Sequence, residues 1–198
     1  MPAAAYLSKW NKVPAGIKKF ILSAISILVI WKVLYLFILL PTRVLDKPLS
    51  TLVAKGSVII LNLCSGTHDY SARNEIGDVP SEHGPVKMPL SNIYFKQTNV
   101  VSIEDGCNGL ELFVLYGGFI VCLPASRQRK WFFIPTGILL IFLLNTARCA
   151  ALSHIHIYYP KYIDFAHHYV FTFLVYGFII GLWLLFTKNL TIANDETK

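Results

Sequence analysis

Cys107, Arg148 and the adjacent imidazoles of His167 and His168 are the side chains here whose types suit covalent chemistry on a carbonyl. A thiolate attacks, an imidazole moves protons near neutral pH, and a fixed guanidinium steadies the oxyanion that develops. Cys107 stands in Glu104-Asp105-Gly106-Cys107-Asn108-Gly109-Leu110-Glu111, at the head of an apolar run. A helix amino terminus and a nearby cation both make a thiol more acidic. Glu104 and Asp105 oppose this, so the cations must face the sulfur more directly than the carboxylates do. Gly106 and Gly109 permit a tight turn or close approach by a substrate backbone. Arg148 lies in Asn145-Thr146-Ala147-Arg148, with Asn145 one turn away on the same face. Asp164 precedes the two histidines by three and four residues, so on a helix it orients either ring. Both rings, His167 and His168, are candidates for the acid-base group. Glu111, one turn below Cys107, either binds a substrate's polar backbone or caps Arg148.

The elements that must position these groups are membrane spans. The chain is 55% hydrophobic and 14% aromatic, with a mean hydropathy of +0.54, more apolar surface than a soluble domain of this size can hide. The net charge of +7 sits beside the apolar runs, without the aromatic and basic platform of an RNA binder, which excludes nucleic acid as a partner. Residues 20–40, with Lys32 as their one charge, are long enough to cross roughly 30 Å of hydrocarbon. That run is too long for a signal peptide and lacks a small-residue cleavage site. Further spans are expected at 109–123, 131–152 and 167–186. The fold class is therefore an all-α integral membrane helical bundle of about four transmembrane helices forming a single domain over 1–198.

Basic residues flanking the spans set the expected topology. The tails 1–19 and 187–198 and the loop 125–130, with Arg127, Arg129 and Lys130, are assigned to the cytoplasm. Residues 42–106 and 153–166 are then extracytoplasmic. Within the former, 49–63 reads as an interfacial helix, being broken by Lys55 and Gly56, with a fifth span there as the alternative that would invert half the topology, and the stretches 92–95 and 100–103 pair as a small hairpin cap. Under this topology Cys107, Arg148 and the histidines reach one outward face, where polar groups at membrane depth are costly and tend to be functional. Cys64, Cys122 and Cys149 read as small apolar residues, although a Cys64–Cys107 disulfide is conceivable in an oxidising compartment and would remove the nucleophile. His154 and His156 alternate as in a strand or loop and lack the companions of a zinc site, so neither metal nor cofactor is expected.

From Glu104 to Phe186 the chain resembles the exosortase/archaeosortase family, in particular its compact, Bacteroidetes-like exosortases. The likeness rests on Gly106-Cys107-Asn108-Gly109 heading one span, Asn145-Thr146-Ala147-Arg148 in the next, and a histidine opening the last. It departs in having about four spans and Asn rather than Ser or Thr after the cysteine. The resemblance implies that Cys107 is the nucleophile, Arg148 the oxyanion or thiolate partner and His167, or His168, the acid-base group. Asn108, Gly109, Glu111, Asn145 and Asp164 become substrate-binding or supporting residues. It further implies a cysteine transpeptidase or protease of the inner (plasma) membrane, acting through a thioester at the extracytoplasmic face. Its partners would be exported clients with a carboxy-terminal hydrophobic sorting helix, and a glycolipid or polysaccharide acceptor. Two other classes stay open: a non-catalytic adaptor for envelope export, and a small transporter subunit in which Arg148 and the histidines bind an anion or relay protons.

Overall fold

The computed structural model describes residues 13–79, 84 and 86–188; of the expected cytoplasmic tails, 1–12 and 189–198 lie outside them. Among the described residues are five helices: α1 Ala15–Thr42, α2 Asp46–Ser65, α3 Leu110–Cys122, α4 Arg127–Tyr158 and α5 Pro160–Thr187. Three antiparallel strands, β1 Tyr70–Val79, β2 Val86–Phe95 and β3 Thr98–Ile103, form a sheet of order β1-β2-β3. The protein is thus a mostly helical membrane bundle with a small β cap.

Each element follows from its residues. From Phe20 to Leu34, α1 carries Lys32 as its one charge and none of its residues is buried, as a lipid-facing span requires. By contrast α2 is amphipathic, burying Asp46, Ser50, Val53, Ala54, Ser57 and Leu61 along one stripe. Gly56 is where α4 comes closest, since a Cβ there would meet the Thr146 side chain. Beside it the Ser57 hydroxyl donates to the Thr146 carbonyl at 2.9 Å. The β2–β3 hairpin turns at Lys96, in the left-handed region at φ 57°, and pairs Asn92 with Ser102 and Ile93 with Val101.

Two cores divide the molecule. One, in the bundle, gathers Tyr116 and Ile120 of α3, Ile141 of α4 and Val175, Ile179 and Phe186 of α5. The other joins Val53 and Leu61 of α2 to Tyr70, Ile93 and Ile103 of the sheet and to Cys149 and Ala150 of α4. At the end of the bundle away from the sheet, basic residues cap helix carboxyl termini. Lys130 Nζ donates to the Val121 carbonyl at 2.8 Å, and Arg129 Nη2 to the carbonyls of Phe186 and Lys188, each at 2.6 Å.

Helix lengths fix where the chain can react. At 13 residues α3 is roughly 20 Å long, whereas α4 has 32 residues. The turn before α3 meets α4 at Asn145, roughly 27 Å along α4 from Arg127. From Thr146 onward α4 continues beside the cap. Helix α2 lies across α4 rather than alongside it: Asp46 touches the turn that Asn145 holds, and Ser57, 11 residues later, touches Thr146.

Several expectations need correction. The loop expected at 153–166 is almost absent, because α4 runs to Tyr158 and a 3-10 turn opens α5 at Pro160. His154 and His156 therefore ride on a helix, where His154 packs against Tyr158 one turn on, and no strand alternation exists. The helix carries on past the expected span because Ile157 packs against the core that joins α2, the sheet and α4. By length and composition the helices able to cross a membrane are α1, α2, α4 and α5, with α3 shorter. The hairpin gains β1 as a third strand, in a segment whose polar residues concealed it.

Where α3 and α4 pack, the Tyr116 ring fills the notch left by Gly137, and its hydroxyl donates to the Phe133 carbonyl at 2.8 Å. Gly137→Ala is expected to destabilise the bundle by about 1–3 kcal/mol, the usual cost of overpacking a site that cannot relax. A lowered melting temperature in detergent checks this.

Candidate active site

The cysteine sits on a short, heavily anchored turn. After β3 the chain extends through Glu104 into a 3-10 turn, Asp105–Cys107, closed by the Cys107 N–H donating to the Glu104 carbonyl at 2.9 Å. Gly109 then takes φ 90°, and a Cβ there would crowd the Asn145 amide, so both conformation and contact call for glycine. The Asn108 carbonyl oxygen Oδ1 accepts from the Leu110 N–H at 2.9 Å, satisfying an exposed donor at the start of α3.

Three further bonds fix this turn from outside. Asn145 Nδ2 donates to the Cys107 carbonyl at 2.9 Å. Asn108 Nδ2 donates to Asp46 Oδ1 at 2.7 Å. Arg43, itself left-handed at φ 51°, pairs with Asp105 at 2.5 Å and donates to the Pro89 carbonyl at 3.0 Å. Asn108 is 0% and Asn145 1% exposed, which leaves them no surface for a substrate; both support the turn.

A cavity of about 160 Å³ opens between β3, α4 and α5, and Cys107, Arg148 and His167 all line it, together with Asp164, His156 and Cys149. Arg148 Nη2 lies 3.1 Å from His167 Nε2. A guanidinium can only donate, so Nε2 is the acceptor and the imidazole is neutral, with its proton on Nδ1. His167 belongs to a π-helical turn, Ala166–Val170, inside α5, a feature frequent at functional sites. His168 is exposed on another face, its Nδ1 3.1 Å from the Asp164 carbonyl. It is thus the main chain of Asp164, rather than its carboxylate, that meets the second ring.

Burial pushes the Cys107 thiol above its ordinary value, Arg148 opposes that, and Glu104 adds to the rise. The guanidinium outweighs the carboxylate, but desolvation outweighs both, so the resting group is a thiol rather than a thiolate. All four cysteines are free, hence no Cys64–Cys107 disulfide forms. Cys149 is buried against Cys107, while Cys64 is exposed at the end of α2.

A second cavity, about 370 Å³, reaches the same turn from the bundle side, between α1, α3 and α5. Trp31 and Leu115 give it an apolar wall, Gly106 and Gly109 form its upper edge, and Arg148 lines it as well as the first cavity. Glu111 faces into it and pairs with Lys32 of α1 at 2.6 Å; it caps Lys32, not Arg148. Among the described residues no group of three or more His, Cys, Asp or Glu converges to hold a metal ion.

Sequence reasoning overlooked Arg43 and Asp46 and gave no site role to Lys32 or His156. Lys32 carried a signal, as a charge inside an apolar run. Asp46 at a helix start reads as an ordinary dipole partner, and nothing in the sequence sets it apart.

Compared with known proteins, residues 15–187 match the family described as transmembrane exosortase (Exosortase_EpsH). No curated protein and no solved structure matches the chain.

Because Arg148 holds the Cys107 thiol below where burial alone would put it, Arg148→Gln is expected to raise that value further. Less thiolate then exists at any given pH. Alkylation of Cys107 by iodoacetamide in membranes should slow at pH 8, with its rate profile displaced to higher pH; an unmoved profile would show that the guanidinium does not act on the sulfur.

Proposed function

This chain belongs to the transmembrane exosortase family, a membership that carries a membrane transpeptidase-type role in general, and from it we propose a cysteine enzyme that cleaves the carboxy-terminal sorting signal of exported proteins. The observation that carries this reading is the convergence of Cys107, Arg148 and His167 on one cavity, with the last two in contact.

The proposed reaction begins with a neutral imidazole. His167 exchanges its contact with Arg148 for the sulfur and takes the thiol proton at Nε2. The sulfur attacks the client's peptide carbonyl, and Arg148, repelled by the new imidazolium, turns to the oxyanion. Collapse breaks the C–N bond, the leaving amine takes the proton from His167, and a thioester on Cys107 remains. An amine or hydroxyl on a surface glycolipid or polysaccharide then attacks the thioester and loses its proton to His167, the C–S bond breaks, and the departing thiolate takes that proton from His167 to end as a thiol; water in place of that nucleophile gives proteolysis. His167 rather than His168 fills the acid-base role because only the former lines the cavity.

The two cavities suggest how a client binds. Its polar segment lies in the cavity beneath the cap, and its hydrophobic helix lies in the groove between α1, α3 and α5, with the scissile bond crossing where Arg148 lines both. In the proposed topology the basic end of the bundle is cytoplasmic and the Cys107 end faces outward from the inner membrane. Residues 42–106 stay on that outer side. Arg43 and Asp105 pair directly, so the chain between them leaves and returns at one level, and α2 lies along the interface.

The test is co-expression with a tagged exported protein ending in a hydrophobic helix. Cys107→Ala should abolish its processing, and His167→Ala should slow it by about 10²–10⁴-fold, the usual size of an acid-base contribution, while His168→Ala keeps most of the rate. Equal processing by the Cys107→Ala form would remove the enzyme and favour an adaptor or transporter subunit.

A further inference from the structure

A fully buried carboxylate that the reaction does not use stands behind the nucleophile. Asp46 is 0% exposed, and a carboxylate taken out of water is costly unless it is hydrogen-bonded or paired. Its Oδ1 accepts from Asn108 Nδ2 at 2.7 Å. The other side of that same Asn108 accepts from the Leu110 N–H. One amide thus spans from Asp46 to the start of α3, across the residue that follows Cys107. Three residues before Asp46, Arg43 grips Asp105 on the far side of the cysteine. The link between α1 and α2 therefore holds the Cys107 turn at both ends, while Asn145 holds its middle.

We propose that Asp46 is a positioning residue for Cys107, acting through Asn108, so that the first helix of the cap sets the direction in which the thiol points. This rests on the reading of Cys107 as nucleophile. Reaction geometry is unforgiving: a misplacement of about 1 Å can cost about 10²-fold in rate. The single 3-10 hydrogen bond that closes Asp105–Cys107 gives a turn of five residues little structure of its own to resist such a shift, and the Asp46–Asn108 bond adds resistance next to the cysteine.

The pair can be broken and rebuilt. Asp46→Ala removes the acceptor. Asn108→Asp places two carboxylates face to face in a buried site. The double variant Asp46→Asn with Asn108→Asp restores the bond with its donor reversed, and its new carboxylate still accepts from Leu110. Two readouts apply, the rate at which iodoacetamide labels Cys107 in membranes and the rate of client processing. Freed from its anchor, the half-buried thiol should label several-fold faster in Asp46→Ala and Asn108→Asp. Both variants should lose about 10–100-fold in processing kcat with KM little changed, and the double variant should recover most of both.

Gly137→Ala, which strains the bundle elsewhere, separates general destabilisation from positioning, since it should label at the wild-type rate below its melting temperature. Wild-type labelling and processing in Asp46→Ala would overturn the proposal, as would a double variant no better than Asn108→Asp alone. Should Cys107→Ala process clients normally, the proposed function fails, and labelling still decides whether Asp46 positions the turn.

Discussion

The shortness of α3 governs much else in this protein. A helix of roughly 20 Å beside neighbours of 28 and 32 residues cannot reach as far out as they do. The turn that precedes it is consequently sunk among the outer halves of α4 and α5 instead of standing on the surface. From that position follow the half-buried thiol, the approach of Asn145 to the Cys107 carbonyl and the existence of two cavities, one from the cap and one from the bundle. A longer α3 would lift the cysteine into water, past Arg148, and leave the guanidinium facing apolar side chains.

Sinking a turn among apolar neighbours brings its own difficulty, because every unpaired backbone group there is costly. The turn is met by two side-chain amides, one carboxylate and one guanidinium, each drawn from a different element: Asn108 from the turn itself, Asn145 from α4, Asp46 from α2 and Arg43 from the link before it. Gly109 makes room for the closest of these. Each pairs with a group of the turn or its partner and narrows the positions available to Cys107.

What the sequence disclosed follows from the range over which each signal acts. Long apolar runs and flanking basic residues are local, so the spans, the anchor at 20–40 and the basic loop were legible. The ordering of Cys107, Arg148 and the histidines was legible too, because each heads or closes a span. The extent of α4 was not. Leu152 to Tyr158 looks like a loop because its histidines interrupt the apolar pattern, and only the sheet packed against Ile157 explains why the helix continues. In the same way Gly56 reads as a break in 49–63 until Thr146 is seen pressed against it. Asp46 and Arg43 act through partners 62 residues away in sequence, and no local pattern carries that information. His167 and His168 both stand at helical spacing from Asp164, so the sequence left them open; they are separated by the cavity lining, which takes in His167 alone, at a π-turn that shifts the helical phase.

That turn, together with its counterpart at Tyr35–Leu39 in α1, inserts one extra residue into a helical repeat. Residues on either side of such an insertion are rotated relative to one another by about 100°, the angle per residue of an α-helix. Below it, Val175, Ile179 and Phe186 keep the face that the bundle demands; above it, a different face is presented to the cavity. The two halves of α5 thus meet different surroundings, the bundle core for one and the cavity beside Cys107 for the other. A single-residue deletion at 166–170 would undo that rotation and turn one half away from its surroundings.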